Sequence, residues 1–211
     1  MKSLISGDII SDIRVPDISD LDFSLKIDKK NIFSINQRKG WNSDSTDEAR
    51  CDFAPNKVRI SPRSGLWFIS LWKKSVKGRT LKDIKADGEM VGFFAENVAE
   101  IIRQVVGDFL SKSDFAIVTT PPRRHKIGNF AESAAKRIAD ILGIVFYSEC
   151  ATARSKGRVG AVFDANNIPA ERNIIVFDDI VTTGQTMAAM HALLKDHGKN
   201  CLFFAGINNA S

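Results

Sequence analysis

The sequence is poor in the features that mark secreted, membrane-spanning or repeat proteins. It has three cysteines, Cys51, Cys150 and Cys201, odd in number and far apart. That argues against a disulfide framework and a clustered-thiol zinc site, and makes a reducing compartment the simplest setting. No apolar run approaches the ~20 residues that a membrane helix needs. The opening Met1-Lys2-Ser3-Leu4-Ile5-Ser6 soon meets Asp8, Asp12 and Arg14. It lacks the apolar core of a secretory leader, so a cytoplasmic protein without membrane partners is expected. Internal repeats and low-complexity tracts are absent. So is any stripe of interleaved aromatic and basic residues of the kind that binds single-stranded nucleic acid.

What is present suits an ordinary globular protein. The 211 residues fit one α/β domain with an added subdomain, and an apolar content of 44% is enough to build a core. The net charge of +5 admits nucleic acid as a partner without demanding it, and admits a polyphosphate metabolite equally. Where the cations gather says more than their sum. Arg123, Arg124, His125 and Lys126 form one group; Arg154, Lys156 and Arg158 form another. Both fall between expected elements, where a basic cluster is more often a solvated surface than a site.

Texture changes along the chain. Residues 1–85 are polar and irregular, with Asn42 to Arg50 and Lys73 to Asp87 reading as loops and Leu66 to Trp72 as a strand. From Glu89 the pattern becomes regular. Met90, Phe94, Val98, Ile101, Ile102, Val105 and Phe109 recur at helical spacing and predict one helix over about 89–112. Phe115 to Val118 is a short buried strand, ended by Thr119-Thr120-Pro121-Pro122. Asn129, with Glu132 three residues on, opens a second helix that Gly143 closes. Ile144 to Tyr147 is a strand, Ala151 to Pro169 a long polar connection, and Ile174 to Phe177 a strand leading into Asp178-Asp179. A helix from about Gln185 to His197 and a strand from Cys201 to Ala205 complete the series. Strands alternating with helices predict a parallel sheet with right-handed crossovers, which takes its ligands at the carboxyl ends of the strands.

Asn173 to Thr186 carries the chemistry. Two adjacent carboxylates at the end of a buried strand cannot both enter a core without a large desolvation cost, so they face solvent, a metal or a polar ligand. The turn Thr182-Thr183-Gly184-Gln185-Thr186 then leads into a helix, whose free N–H groups and dipole favour a phosphate. Hydroxyls add donors, and Gly184 permits a tight turn. Diol-binding acids beside a phosphate cradle describe a ribose 5-phosphate site. The bland alternative is an ordinary strand-to-helix turn capped by Asp and Thr.

The strand, acid pair and Thr-Gly-x-Thr loop resemble the phosphoribosyl-pyrophosphate signature of type I phosphoribosyltransferases. Thr119-Thr120-Pro121-Pro122-Arg123-Arg124 sits where that family places its pyrophosphate loop. Arg124 to Ala131 and Arg158 to Phe163 are similar to segments of the ComF-type branch. The resemblance spans about residues 90–207. It implies an α/β fold: a parallel-sheet core over 86–211 with helices on both faces, under an irregular N-terminal hood over 1–85. It also implies transfer of a phosphoribosyl group from 5-phosphoribosyl-1-pyrophosphate to a nitrogen acceptor, with Mg²⁺ bridged by substrate and touched by Asp178 and Asp179 if by any residue. By resemblance, Asp178 and Asp179 meet the ribose hydroxyls, and Thr182, Thr183, Gly184, Gln185 and Thr186 wrap the 5-phosphate. Thr119, Thr120, Pro121, Arg123 and Arg124 serve pyrophosphate, and Arg154, Lys156 and Arg158 close over it from a catalytic loop. A non-catalytic nucleotide sensor and a ComF-like role in DNA uptake are the rivals. A homodimer is compatible with the resemblance.

The chain departs from the family in three places, one being Gln185 where a small residue is commoner in the phosphate loop. It has only Cys51 where ComF-type proteins often carry a four-cysteine module, and Thr182 where 6-oxopurine enzymes usually have Asp. Among other residues, His125 is read as a solvated loop side chain or a pyrophosphate contact. Trp67 and Trp72 are read as core or as base-stacking platforms. Cys150, His191 and His197 are read as structural, and Asp164 has no assigned role.

Overall fold

The computed structural model describes residues 49–53, 58–112, 114–121, 129–154 and 162–209. The chain divides into two units, residues 1–37 and 38–211, and all described residues lie in the second.

Among the described residues ten strands and five helices follow in order: β1 (Arg50–Cys51), β2 (Arg59–Arg63), β3 (Leu66–Ser75), β4 (Arg79–Thr80), α1 (Leu81–Ala86), α2 (Glu89–Val106), α3 (Phe109–Lys112), β5 (Phe115–Thr119), α4 (Phe130–Leu142), β6 (Val145–Tyr147), β7 (Ala151–Ala153), β8 (Phe163–Ala165), β9 (Asn173–Val181), α5 (Gln185–Asp196) and β10 (Asn200–Asn208). The main sheet runs β4-β1-β3-β10-β9-β5-β6, with β2 paired to β3. From β3 to β6 every neighbouring pair is parallel. The α/β class with a mostly parallel sheet is therefore as expected.

Its centre is dry because parallel strands are covered on both faces. Ile174, Ile175, Val176 and Phe177 are fully buried in succession. On one face Met187, Met190 and Leu194 of α5 pack with Val118, Ile174, Val176, Phe203 and Ala205. On the other, Phe94 of α2 stands against Gly206, where a Cβ would collide with its ring. Phe94 also meets Phe130 of α4 edge to face at 5.1 Å. Trp72 is 1% exposed and stacks on Phe93 at 5.3 Å, so it belongs to the core; Trp67 is 53% exposed.

Several expectations change. The helix expected over 89–112 is two, because Gly107 takes a φ of 58° and ends α2. Lys73 to Asp87 is no loop: β3 runs to Ser75, and Thr80 caps α1 by accepting from the Asp83 N–H at 3.1 Å. Ala151 to Pro169 contains an antiparallel ribbon, β7 with β8. Leu66–Ser75, placed by sequence in the accessory region, pairs with β10 inside the main sheet. A boundary at residue 85 therefore cuts across that sheet. Burial explains why the charged stretches around residue 80 fold: amphipathic segments there still supply Phe68, Leu71, Leu81 and Ile84 to the core.

Candidate functional site

The acids lie within a strand rather than at its end. β9 continues through Asp178 and Asp179 to Val181, pairing with β10 as far as Asn208. Its other neighbour stops sooner: the last β5 pair is Thr119 with Phe177. Beyond that level β9 has a strand on one side only, which gives polar side chains an opening beside the sheet.

Thr120 occupies that opening and hydrogen-bonds Asp178. Burial, then the charge of Asp179 beside it, push the Asp178 carboxyl up to about 8, against smaller opposing effects of Lys85 and Thr120. Asp179, 7% exposed, takes Lys85 of α1 on its Oδ2 at 2.6 Å. Near neutrality Asp178 therefore tends to keep its proton, while Asp179 is ion-paired with Lys85. Like charges this close do not both ionise readily.

The turn after β9 is held from two directions. Asn209 donates its backbone N–H to Val181 O at 2.8 Å and its Nδ2 to Thr182 Oγ1 at 3.3 Å. Its Oδ1 is buried and has no hydrogen-bond partner among the described residues. From the other side comes the two-residue turn of the β2–β3 hairpin, Ser64-Gly65, with φ of 48° and 80°. Ser64 Oγ donates to Thr183 O at 2.8 Å. Gly184 has a φ of 76°, and a Cβ there would stand 2.6 Å from the Arg63 Cβ. Only glycine satisfies both the backbone and the packing. α5 then begins at Gln185 with no acid in its first turn. Thr183 Oγ1 accepts from the Gln185 N–H at 3.4 Å; the N–H groups that follow and the positive end of the dipole form an anion-favouring end. Asp178, Thr182, Thr183, Gly184, Thr186 and Met187 are among the residues lining a nook of ≈ 10 Å³, on the order of one water molecule.

The structure thus brings together Asp178, Asp179, Thr120 and the turn Thr182 to Thr186. Thr119 ends β5 half-buried and Pro121 is buried just beyond it, while Gln185 is exposed at the head of α5. Arg154 is exposed, and its guanidinium is engaged by Asp164 across the β7–β8 ribbon. Asp164, to which the sequence assigned no role, is the partner of that cation. Arg123, Arg124, His125, Lys126, Lys156 and Arg158 lie outside the described residues.

Lys85, Arg63, Ser64 and Asn209 were not anticipated. For Lys85 a signal existed: Thr80-x-x-Asp83 is a helix-opening pattern, with Leu81 and Ile84 on one face. Arg63, Ser64 and Asn209 reach the site through long-range packing that local patterns do not encode.

Removing the Lys85 charge should be felt at both acids. Lys85→Met should cost ~1–2 kcal/mol in denaturant unfolding at pH 7, below the full penalty for an orphaned buried charge because Lys85 is 42% exposed. It should also raise the Asp178 titration further, since Lys85 opposes that rise. An unchanged midpoint and titration curve would show that Lys85 does not hold the pair.

No family model matches this chain, and no curated protein matches it. Among solved structures it is similar to an orotate phosphoribosyltransferase from Aeropyrum pernix, at 19% identity and TM-score 0.39, over 61% of this chain and 64% of that one. It is also similar to an adenine phosphoribosyltransferase, at 18% identity and TM-score 0.46, over 72% and 84%. A xanthine-guanine-hypoxanthine phosphoribosyltransferase from Helicobacter pylori matches at 14% identity and TM-score 0.40, over 59% and 84%. The chain thus spans under two thirds of the orotate enzyme's length. What the site can do follows from its own residues.

Proposed function

We propose that this chain binds 5-phosphoribosyl-1-pyrophosphate and transfers its phosphoribosyl group to a nitrogen acceptor of nucleobase type, releasing pyrophosphate. The observation that carries this is the conjunction towards the end of β9: a carboxyl pair beyond the last β5 pairing, followed after two residues by a braced Thr-Thr-Gly turn that leads into a helix with no acid in its first turn. An acid pair alone suits many ligands. Joined to an anion cradle a few residues away, it suits a ribose ring with a phosphate on its 5-carbon.

In this reading the turn and the α5 N–H groups hold the 5-phosphate. Asp179, charged and oriented by Lys85, accepts a hydrogen bond from a ribose hydroxyl. Asp178, carrying its proton, can donate to one. As the bond from C1 to pyrophosphate breaks, positive charge grows on the ring, and the carboxylate of Asp179 stabilises it without reorganising. In the same reading the Thr119-Thr120-Pro121 segment, at the end of β5 and just past it, meets pyrophosphate. The donor set fits Mg²⁺ held mainly by substrate oxygens. Mg²⁺ commonly takes one or two carboxylates plus phosphates, and Asp178 and Asp179 are the carboxyl groups that would meet it here. When bound, such an ion would neutralise charge on the leaving pyrophosphate. A cytoplasmic setting fits the free thiols of Cys51, Cys150 and Cys201. No described helix is long and apolar enough to cross a membrane. The ComF-type assignment rests on segments that lie largely outside the described residues.

The engagement of Arg154 by Asp164 favours a second reading, a sensor that binds the same ligand without turnover. Adding phosphoribosyl pyrophosphate with Mg²⁺ should raise the melting temperature under either reading, by the equivalent of about 2.7 kcal/mol at a hundredfold excess over Kd. Pyrophosphate release across a panel of nucleobases then separates the two. Release with one base identifies the transferase, whereas a melting shift with no release from any base identifies the sensor. No shift at millimolar ligand defeats both.

A further inference from the structure

The β2–β3 hairpin braces the turn, and its tip also carries a cation, Arg63, with no role so far. Ser64 Oγ binds Thr183 O at 2.8 Å. A Cβ on Gly184 would be 2.6 Å from the Arg63 Cβ and 3.4 Å from its carbonyl carbon. Arg63 is thus packed onto the residue that opens α5. Its guanidinium Nη1 donates to Pro62 O at 2.9 Å, and among the described residues no carboxylate pairs with it. The first turn of α5 carries no acid. The stem of the arginine therefore lies against the start of the helix, and no acid in that helix's first turn opposes its charge.

We infer that Arg63 is an affinity-determining residue of the anion site, adding a fixed cation to the turn Thr182 to Thr186. This rests on the proposed function: the ligand group it serves is the 5-phosphate of a phosphoribosyl unit. Direct contact is not required. An arginine side chain anchored at Gly184 keeps its charge well inside the Debye length of about 10 Å at 0.1 M salt, whichever rotamer it takes. Two restraints hold the charge in place beforehand: the Ser64 hydrogen bond on the turn and the Pro62 hydrogen bond on the guanidinium. Little ordering is then left for the moment of binding.

The test is calorimetric titration of ribose 5-phosphate, with ribose as the phosphate-free control, into the whole chain at low and high salt. Arg63→Met should weaken ribose 5-phosphate about tenfold at low salt and leave ribose unchanged. Arg63→Lys, which keeps the charge, should stay within about threefold of the parent. The gap between parent and Arg63→Met should close near 1 M salt, where the screening length is about 3 Å. Arg63→Gln replaces Arg63→Met if the latter does not fold. Equal low-salt affinity in parent and neutral variant would overturn the inference and leave the proposed function standing. So would a loss of the same size in Arg63→Lys that persists at high salt, since that marks packing rather than charge. If the parent itself does not bind ribose 5-phosphate, or binds it no better than ribose, the anion site is absent and both readings fall.

Discussion

Gly184→Val should abolish binding of phosphoribosyl pyrophosphate and destabilise the chain by roughly 3 kcal/mol. Two penalties combine. A β-branched residue at φ 76° is forced into left-handed backbone, costing ~1–3 kcal/mol. Its Cβ would also stand 2.6 Å from the Arg63 Cβ, so either the hairpin or the turn must move, at a further ~1–3 kcal/mol. Gly198→Val is the matched control. Its φ is 71°, and nothing lies within 4 Å of a Cβ there. It should lose about 1–2 kcal/mol from the backbone alone and keep full affinity. Urea unfolding and calorimetry on the two variants decide the matter. If both lose the same stability and both bind, Arg63 does not brace the turn.

Asp178→Asn should remove a pH dependence of stability and slow turnover increasingly as pH rises. The sign follows from the direction in which folding moves the carboxyl. Folding raises Asp178 from 3.8 to about 8, so the native state holds a proton that the unfolded chain has released. Stability from this group is complete below the unfolded value and drains away as pH rises from about 4 through about 8. The amide never ionises, so the variant should lack this slope and be the more stable protein at pH 8. The margin should be about 2 kcal/mol. That is well below what ~1.4 kcal/mol for each tenfold change in proton affinity would give in full, because the side chain is only half-buried. Catalysis should move the other way. Near neutrality Asp178 is largely protonated and the amide matches its charge, so pyrophosphate release should change little; above pH 8, where the parent carries a carboxylate beside the developing ring charge, the variant should be slower by about a hundredfold or more. A parent whose unfolding midpoint is flat between pH 5 and pH 8 would show that Asp178 ionises freely.

Much of this was legible in the sequence because the informative signals are local. The run from Ile174 to Phe177 must be buried, the two acids must find a polar setting, and Gly184 must turn the chain; each demand is met within a few residues. Asn129 at the head of α4 and Gly143 at its foot are likewise cap signals read over short range. Local reading failed where long-range packing decides. Leu66 to Trp72 read as a strand, but nothing nearby says that its parallel neighbour is β10. Lys85 sits in a charged stretch whose fold depends on two apolar residues, and its carboxylate partner is remote in sequence. Arg154 looked like a free loop cation, since no local pattern hints that Asp164 would face it across a ribbon.

The Ser64–Thr183 hydrogen bond spans 119 positions, and that separation has a consequence for synthesis. At the usual ~5–20 residues per second, the hairpin leaves the ribosome on the order of ten seconds before the turn it braces. β3 waits longer still, because its parallel partner β10 is made after β9 and α5. During that interval the apolar run Leu66 to Trp72 lacks the strand that will cover its β10-facing edge, with only β2 and the short β1 beside it. An open apolar edge of this kind is a template for pairing with another chain. The nascent protein therefore passes through a stage in which its future ligand cradle does not exist and its open strand is the one that will later anchor it. Crowded or rapid expression should penalise that stage, and holding chaperones that bind extended apolar segments should relieve it.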